Sequence, residues 1–230
     1  GSVSSIKARD IQGIATGSVD QALQGKFAGV LVTPTDGSPG AAAIIRIRGT
    51  GTLNNSNPLF VVDGLLIDDI NFLNPNDVET VTVLKDASST ALYGTRGANG
   101  VIIITTKHGV SGKGQISVST YYGTQELSKK IALTNASQYG VLRNAAAKNF
   151  NQPTPFPNPE TLGVGTDWQD AIFQKAPIKN INLAARGGND FMTYSISGDY
   201  LKQDGILKGG DYERYTLRLN NEYKLNSFIK

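Results

Sequence analysis

Cysteine is absent from the 230 residues, which excludes disulfide staples and thiolate zinc sites. A small disulfide-held secreted module is ruled out with them, whereas a cytosolic protein and a bacterial envelope protein without disulfides both remain. There is one histidine, His108, so any Ser/His/Asp triad must use it. It stands in the Gly/Ser/Lys segment HGVSGKGQ, and no GxSxG nucleophile turn occurs in the chain, so an exposed linker histidine is the expectation. No apolar run approaches the roughly 18 residues of a membrane helix, and no charged-then-apolar targeting segment opens the sequence. Charge of one sign is also scarce. Lys and Arg total 22 against 19 Asp and Glu, a net +3, with no basic run that would track a nucleic acid.

Glycine, by contrast, is plentiful, with 26 in the chain, and the segment LYGTRGANGVIIITTKHG (92–109) concentrates it beside an arginine. A phosphate loop is the first chemistry to test there. GTRGANG has no lysine and leads into a strand, so no helix N-terminus faces an anion. HGVSGKGQ lacks the GxxxxGK[ST] spacing, and RGTGTLN does not supply the GxGxxG of a dinucleotide fold. Asp68-Asp69 and the pair Asp77 and Glu79 read as turn and strand-edge acids rather than as a catalytic carboxylate pair. NPND (74–77) reads as a turn, since an EF-hand's ligand spacing is missing. No cofactor or metal site emerges.

Patterning divides the chain in two. Residues 1–112 mix short helices and strands. Ser18 and Gln21 have capping-box spacing before a short helix through Ala22, Leu23 and Phe27. VLVTP, AIIRIRG, LFVVDG, VETVTVLK and GVIIITT read as strands, and DASSTALYG as a short helix stopped by Gly94. Residues 113–230 are different. ISVSTYYGTQ alternates, a hydrophilic stretch follows with helices at NASQYGVLRNAAAKNF and TDWQDAIF, and long strands return in IKNINLAARGG, FMTYSISGDYLKQDG and YERYTLRLNNEYKLNSFIK. In the last of these Tyr215, Leu217, Leu219, Tyr223 and Leu225 share one face, while Arg218, Asn220, Glu222 and Lys224 share the other. Met192, Tyr194, Ile196 and Tyr200 repeat the pattern. Strands of about ten residues with an apolar face and tyrosines near their ends suit a lipid-facing barrel wall. A soluble antiparallel sheet with one face on a core gives the same period, and on pattern alone it is the simpler reading.

ALQGKFAGVLVTPTDGSPG, IIRIRGTGTLNNSNPLFVVDG and LNPNDVETVTVLKDASSTALYGTRGANGVIIITTKHG together resemble the plug domain of SusC-like, RagA-type TonB-dependent outer-membrane transporters of Bacteroidota. TDWQDAIF, GGNDFMTYSISGDYLKQDGIL and YERYTLRLN resemble the first strands and loops of the same family's barrel. The resemblance implies an α+β plug domain, a small mixed sheet with short helices, at 1–112. Antiparallel β-strands of an incomplete transmembrane β-barrel follow at 113–230. The family's barrels have roughly 22 strands, so about four would be present, with two unpaired edges. It further implies the bacterial outer membrane as location and import of oligosaccharides or peptides without catalysis. A SusD-like surface lipoprotein would act as lid, and TonB would act through a segment upstream of this sequence. The alternative is a soluble carbohydrate-binding β-rich module.

Two arginines match the family positions that lock plug to barrel glutamates, Arg48 in IRIRG and Arg96 in GTRGANG. A guanidinium fork grips carboxylates bidentately, although ordinary surface arginines would look the same in sequence. The loop TGTLNNSNP, carrying Thr50, Thr52, Asn54, Asn55 and Asn57, resembles one that faces the substrate, but its composition equally suits any solvated loop. Trp168 could stack a sugar; its spacing to Ile172 and Phe173 instead predicts packing within a short helix.

Overall fold

The computed structural model describes residues 3–12, 16–50 and 55–224. Three strand assemblies form: a five-stranded sheet, a two-stranded hairpin and a four-stranded meander.

The five-stranded sheet contains β1 (Val3–Lys7), β4 (Leu59–Val62), β5 (Leu65–Ile67), β6 (Val78–Leu84) and β7 (Val101–Thr106), in the order β1-β6-β7-β4-β5. Only β4 and β7 pair in parallel; the remaining pairs are antiparallel. The β4–β5 connection is Asp63-Gly64, both at positive φ (49° and 86°), which is the two-residue turn that an Asp-Gly pair favours. Central β4 and β7 read as nearly continuous apolar runs because both their faces are covered. On one face Ile102, Ile104, Val81 and Val83 join Phe60, Val62 and residues of the hairpin and helices in the main core. On the other, Leu59, Val61, Leu84 and Val101 form a smaller cluster with Tyr93. Each such side chain, wholly buried, contributes about 1.5–3 kcal/mol of transfer free energy.

Short helices and the hairpin close the main core. Helix α1 (Ala8–Ile11) buries Ile11, and α2 (Val19–Ala22) buries Val19 and Ala22. β2 (Val30–Pro34) and β3 (Ala43–Ile47) pair antiparallel and supply Val32, Ile45 and Ile47. The capping box expected at Ser18 does not form: its hydroxyl caps nothing and is buried without a partner. Asp20 does the tethering instead. Its carboxylate accepts from Gln21 N at 2.8 Å and from Ala43 N, tying α2 to β3, while Gln21 Nε2 turns away to donate to Ala41 O. A carboxylate accepting two backbone amides outcompetes a single hydroxyl.

Helix α3 (Ala87–Thr90) starts at Asp86, whose side chain accepts from Ser89 N. Gly94, at φ 58°, breaks the helical path as expected of a stop, yet the chain continues in 3-10 turns to Gly97. Gly100, at φ 94°, lies against Ile47, where a Cβ would meet Cδ1 at 2.7 Å. A side chain there is excluded by the backbone angle and by the contact alike.

The meander is formed by β8 (Gly112–Gln125), β9 (Ala176–Gly188), β10 (Met192–Asp204) and β11 (Asp211–Tyr223), each antiparallel to its sequence neighbour. At 13 to 14 residues, each exceeds the 9–11 that a tilted strand needs to cross a bilayer. Between β8 and β9 a long loop carries α4 (Ala136–Asn149), which has the Asn135/Gln138 capping box, and α5 (Trp168–Ile172). No described helix is long and apolar enough to cross a membrane.

Candidate functional site

The meander packs on turns and connecting segments beside the five-stranded sheet, and residues of β10 touch these one after another. Gln203 Oε1 accepts from Gly40 N at 3.1 Å. Leu201, 1% exposed, lies against Gly17, where a Cβ would come within 2.6 Å of its Cδ2. Asp199 accepts from Asn74 Nδ2 across the interface and from Asn180 Nδ2 of β9 at 2.6 Å. Ser197 reaches Asp77. At the far end Gly109 lies on the backbone of Tyr194, whose N and O would stand 2.4 and 2.5 Å from an added Cβ. Gln203, Leu201, Asp199 and Ser197 alternate along β10, so one face of the strand meets these segments, as the period of two requires.

Two arginines of β11 reinforce the contact. Arg214 pairs with Asp199 at 3.7 Å, donates from Nη2 to Gly17 O at 2.7 Å and from Nη1 to Asn71 O. Arg218 donates to Asp63 Oδ2 at 2.5 Å and to Thr106 Oγ1 at 2.9 Å, and Asp63 itself accepts from Thr106 N and Oγ1. His108 Nε2 is 3.6 Å from Asp63 on the exposed side of this group. Asp77, 6% exposed, is buried against the meander rather than standing at an exposed edge. Burial pushes its carboxyl above the ordinary value, opposed by Ser197 and the Arg218 charge.

The opposite face of the meander is apolar and bare. Tyr215, Leu217 and Leu219 of β11 are 72%, 73% and 60% exposed, and Ile116, Val118, Ile181, Leu183 and Ile196 of the other strands share that surface. A soluble module would bury this face against a second sheet, and none covers it among the described residues. An exposed apolar wall around a polar inner contact is the architecture of a barrel embedded in lipid.

Comparison with known proteins agrees. The TonB-dependent Receptor Plug Domain family matches residues 1–101. The TonB-dependent receptor SusC of Bacteroides thetaiotaomicron is 43% identical over 233 aligned positions, covering 96% of this chain and 22% of its own length. The TonB-dependent receptor P26 of Formosa agariphila is 38% identical over 237, covering all of this chain and 24% of its own. The solved RagAB peptide transporter superposes with a TM-score of 0.88 at 30% identity over 99% of this chain and 29% of that one. The chain belongs to the SusC-like TonB-dependent receptors. It spans about a quarter of the length of the curated relatives it matches, and such receptors reside in the bacterial outer membrane. The five-stranded sheet with its helices is therefore the plug, and the meander is a part of the barrel wall that does not close on itself.

The residues expected from sequence to lock this plug fall elsewhere. Arg48, at φ 58°, and Arg96 are exposed, and no hydrogen bond or ion pair joins either side chain to a described residue. The Gly100–Ile47 contact sets their two turns side by side. Of the polar loop, Thr50, Asn55 and Asn57 are exposed, while Thr52 and Asn54 lie outside the described residues. Asn57 Oδ1 accepts from Arg46 Nη1 at 2.5 Å and Asn55 O from Asn99 Nδ2 at 2.8 Å, so the loop is fastened to the Arg96 turn. Trp168 is 70% exposed and α5 buries nothing; the expected helix packing is absent because Ile172 is itself 45% exposed and offers no core to pack on. Sequence reasoning missed the wall arginines Arg214 and Arg218. The signal available for them was only their polar parity on β11, opposite Tyr215, Leu217 and Leu219.

Proposed function

We propose that this chain is the gate of a TonB-dependent outer-membrane nutrient importer, with residues 1–112 as plug and 113–230 as the first part of the barrel wall. The observation that carries the reading is the two-sidedness of the wall. Its inner residues are hydrogen-bonded to a plug, and its outer residues are apolar and bare. The gate needs no catalytic group: its chemistry is to hold the plug firmly enough to seal and loosely enough to be remodelled by a pull. Polar contacts serve this well, because each can be exchanged for water when the plug moves, at a net cost of about 0.5–1.5 kcal/mol.

The cargo is an oligosaccharide or a peptide, as the SusC and RagAB resemblances support. A SusD-like surface lipoprotein forms the lid, and TonB supplies the pull. Arg48 and Arg96 lock the plug to carboxylates of wall strands beyond the four described, and the Thr50–Asn57 loop, Thr52 and Asn54 included, meets the cargo. Uptake of fluorescently labelled oligosaccharides and peptides by cells carrying the full-length receptor tests this. Uptake that stops when TonB is deleted supports the proposal. Uptake indifferent to TonB, or a full-length protein that stays folded and monomeric in buffer without detergent, overturns it.

A further inference from the structure

A cavity of about 250 Å³ lies between plug and wall, and its lining has an unusual balance of charge. Lys107 enters from the plug, Arg186 from β9 and Arg218 from β11, with Asp77 as the one carboxylate. Arg218 is already paired with Asp63, so within the lining Lys107 and Arg186 face Asp77 alone, with Glu79 acting on Lys107 from outside it. Their proximity is felt: the Lys107 ammonium is pushed below its usual pKa, first by burial and next by the Arg186 charge, against the opposing pull of Asp77 and Glu79. Two like charges converging in a half-closed space are unfavourable unless something negative joins them.

The hydrogen-bonding inventory has the same sign. Asn182 is 3% exposed and lines this cavity; its Nδ2 makes no well-formed hydrogen bond, although it acts as a donor toward the Asp77 carboxyl. Arg218 Nε is a second buried donor left unpaired. Ser117 and Ser195 also line this space. A divalent cation would want carboxylates, of which there is one. A neutral sugar would want acceptors in equal measure. Surplus donors with surplus positive charge suit an oxyanion, whose oxygens accept several charge-assisted bonds at once.

We propose that this seam holds a phosphate-sized tetrahedral oxyanion, inorganic phosphate or sulfate, bridging Lys107 of the plug to Arg186 of the wall. Asn182 supplies a fixed neutral donor, and Asp77 occupies the far side with Ser197. The ion is thereby a removable part of the plug–wall contact. The inference rests on the assignment of the two sheets as plug and wall but not on transport, so its test is separate from uptake.

The full-length receptor, purified in detergent, is titrated with sodium phosphate against sodium chloride at matched ionic strength, and its melting temperature is followed. Crystals soaked in selenate, a sulfate analogue with an anomalous signal, show where the ion sits. Expected are a saturable rise in melting temperature, an anomalous peak between Lys107 and Arg186, and a loss of apparent affinity of ten-fold or more in Arg186→Gln. Lys107→Met gives the same loss and carries the test if Arg186→Gln does not fold, while Lys148→Met, on exposed α4, changes nothing. A rise that never saturates and is equal in all variants is the general effect of excluded salts and overturns the proposal. So does a cavity without an anomalous peak.

Discussion

Arg218 of the wall donates through Nη2 to Asp63 Oδ2 of the plug at 2.5 Å across 155 residues of chain. Asp63 is the left-handed first residue of the β4–β5 turn, and Thr106 at the end of β7 completes the group. A turn residue chosen for its backbone thus also carries the charge that meets the barrel. Asp63→Asn keeps a residue tolerant of positive φ and one acceptor, whereas Asp63→Ala loses the acceptors and adds about 1–2 kcal/mol of backbone strain. We expect Asp63→Ala to destabilise the plug by about 2–4 kcal/mol and Asp63→Asn by clearly less. Chemical denaturation of the full-length protein, followed by protease sensitivity of the plug, checks the order; equal losses would refute it.

Arg218→Met leaves the Asp63 carboxylate 17% exposed and without its guanidinium. The expected cost is about 2–3 kcal/mol, under the 3–5 of a wholly buried pair. Adding Asp63→Asn to Arg218→Met should recover part of it, and a double-mutant cycle with zero coupling would exclude a direct pairing.

The pH response of Asp77 has a definite sign. Because burial raises its folded-state pKa, the folded protein holds this proton more tightly than the unfolded chain does. Its contribution to stability therefore falls as pH rises from the unfolded value of about 3.9 through the folded one. Asp77→Asn removes that fall. Melting temperatures compared from about pH 4 to pH 7 should shift steadily in favour of the variant as pH increases; a difference independent of pH would contradict this.

Lipid should be able to tell the two faces of β11 apart. Leu217→Arg places a charge on the bare apolar surface and is expected to cost about 2–4 kcal/mol if the site is near the bilayer midplane. Leu133→Arg, equally exposed at 67% but in the β8–β9 loop, should stay within about 0.5 kcal/mol. Folding yields into lipid vesicles across a urea series measure both, and equal yields would place β11 in water.

Glycines at the seam differ in what they permit. Gly109→Ala drives a methyl into the backbone of Tyr194, whereas Gly198→Ala meets nothing within 4 Å. The first should loosen the linker from the wall and expose it to protease, and the second should be neutral; indifference at Gly109 would mean that the linker does not bear on β10.

Much of this was legible in the residues. Short apolar runs marked LFVVDG and GVIIITT as strands, now β4 and β7, and alternation in β11 assigned Tyr215, Leu217 and Leu219 to one face and Arg218 to the other. Such features are local, and a period of two or a short apolar run states them fully. Whether that apolar face met lipid or a second sheet was not local, and only the uncovered surface of the meander decided it. The same holds for the gate's contacts. Ser18 had the spacing of a cap, but Asp20 won because β3 brought Ala43 N to it; Trp168 had helical spacing to Ile172, but no core came to meet it. Arg218 and Asp63 stand far apart in sequence, and no periodicity links them. Charge pairing across an interface depends on which surfaces the fold lays together, and that is decided by the packing of two sheets rather than by either strand.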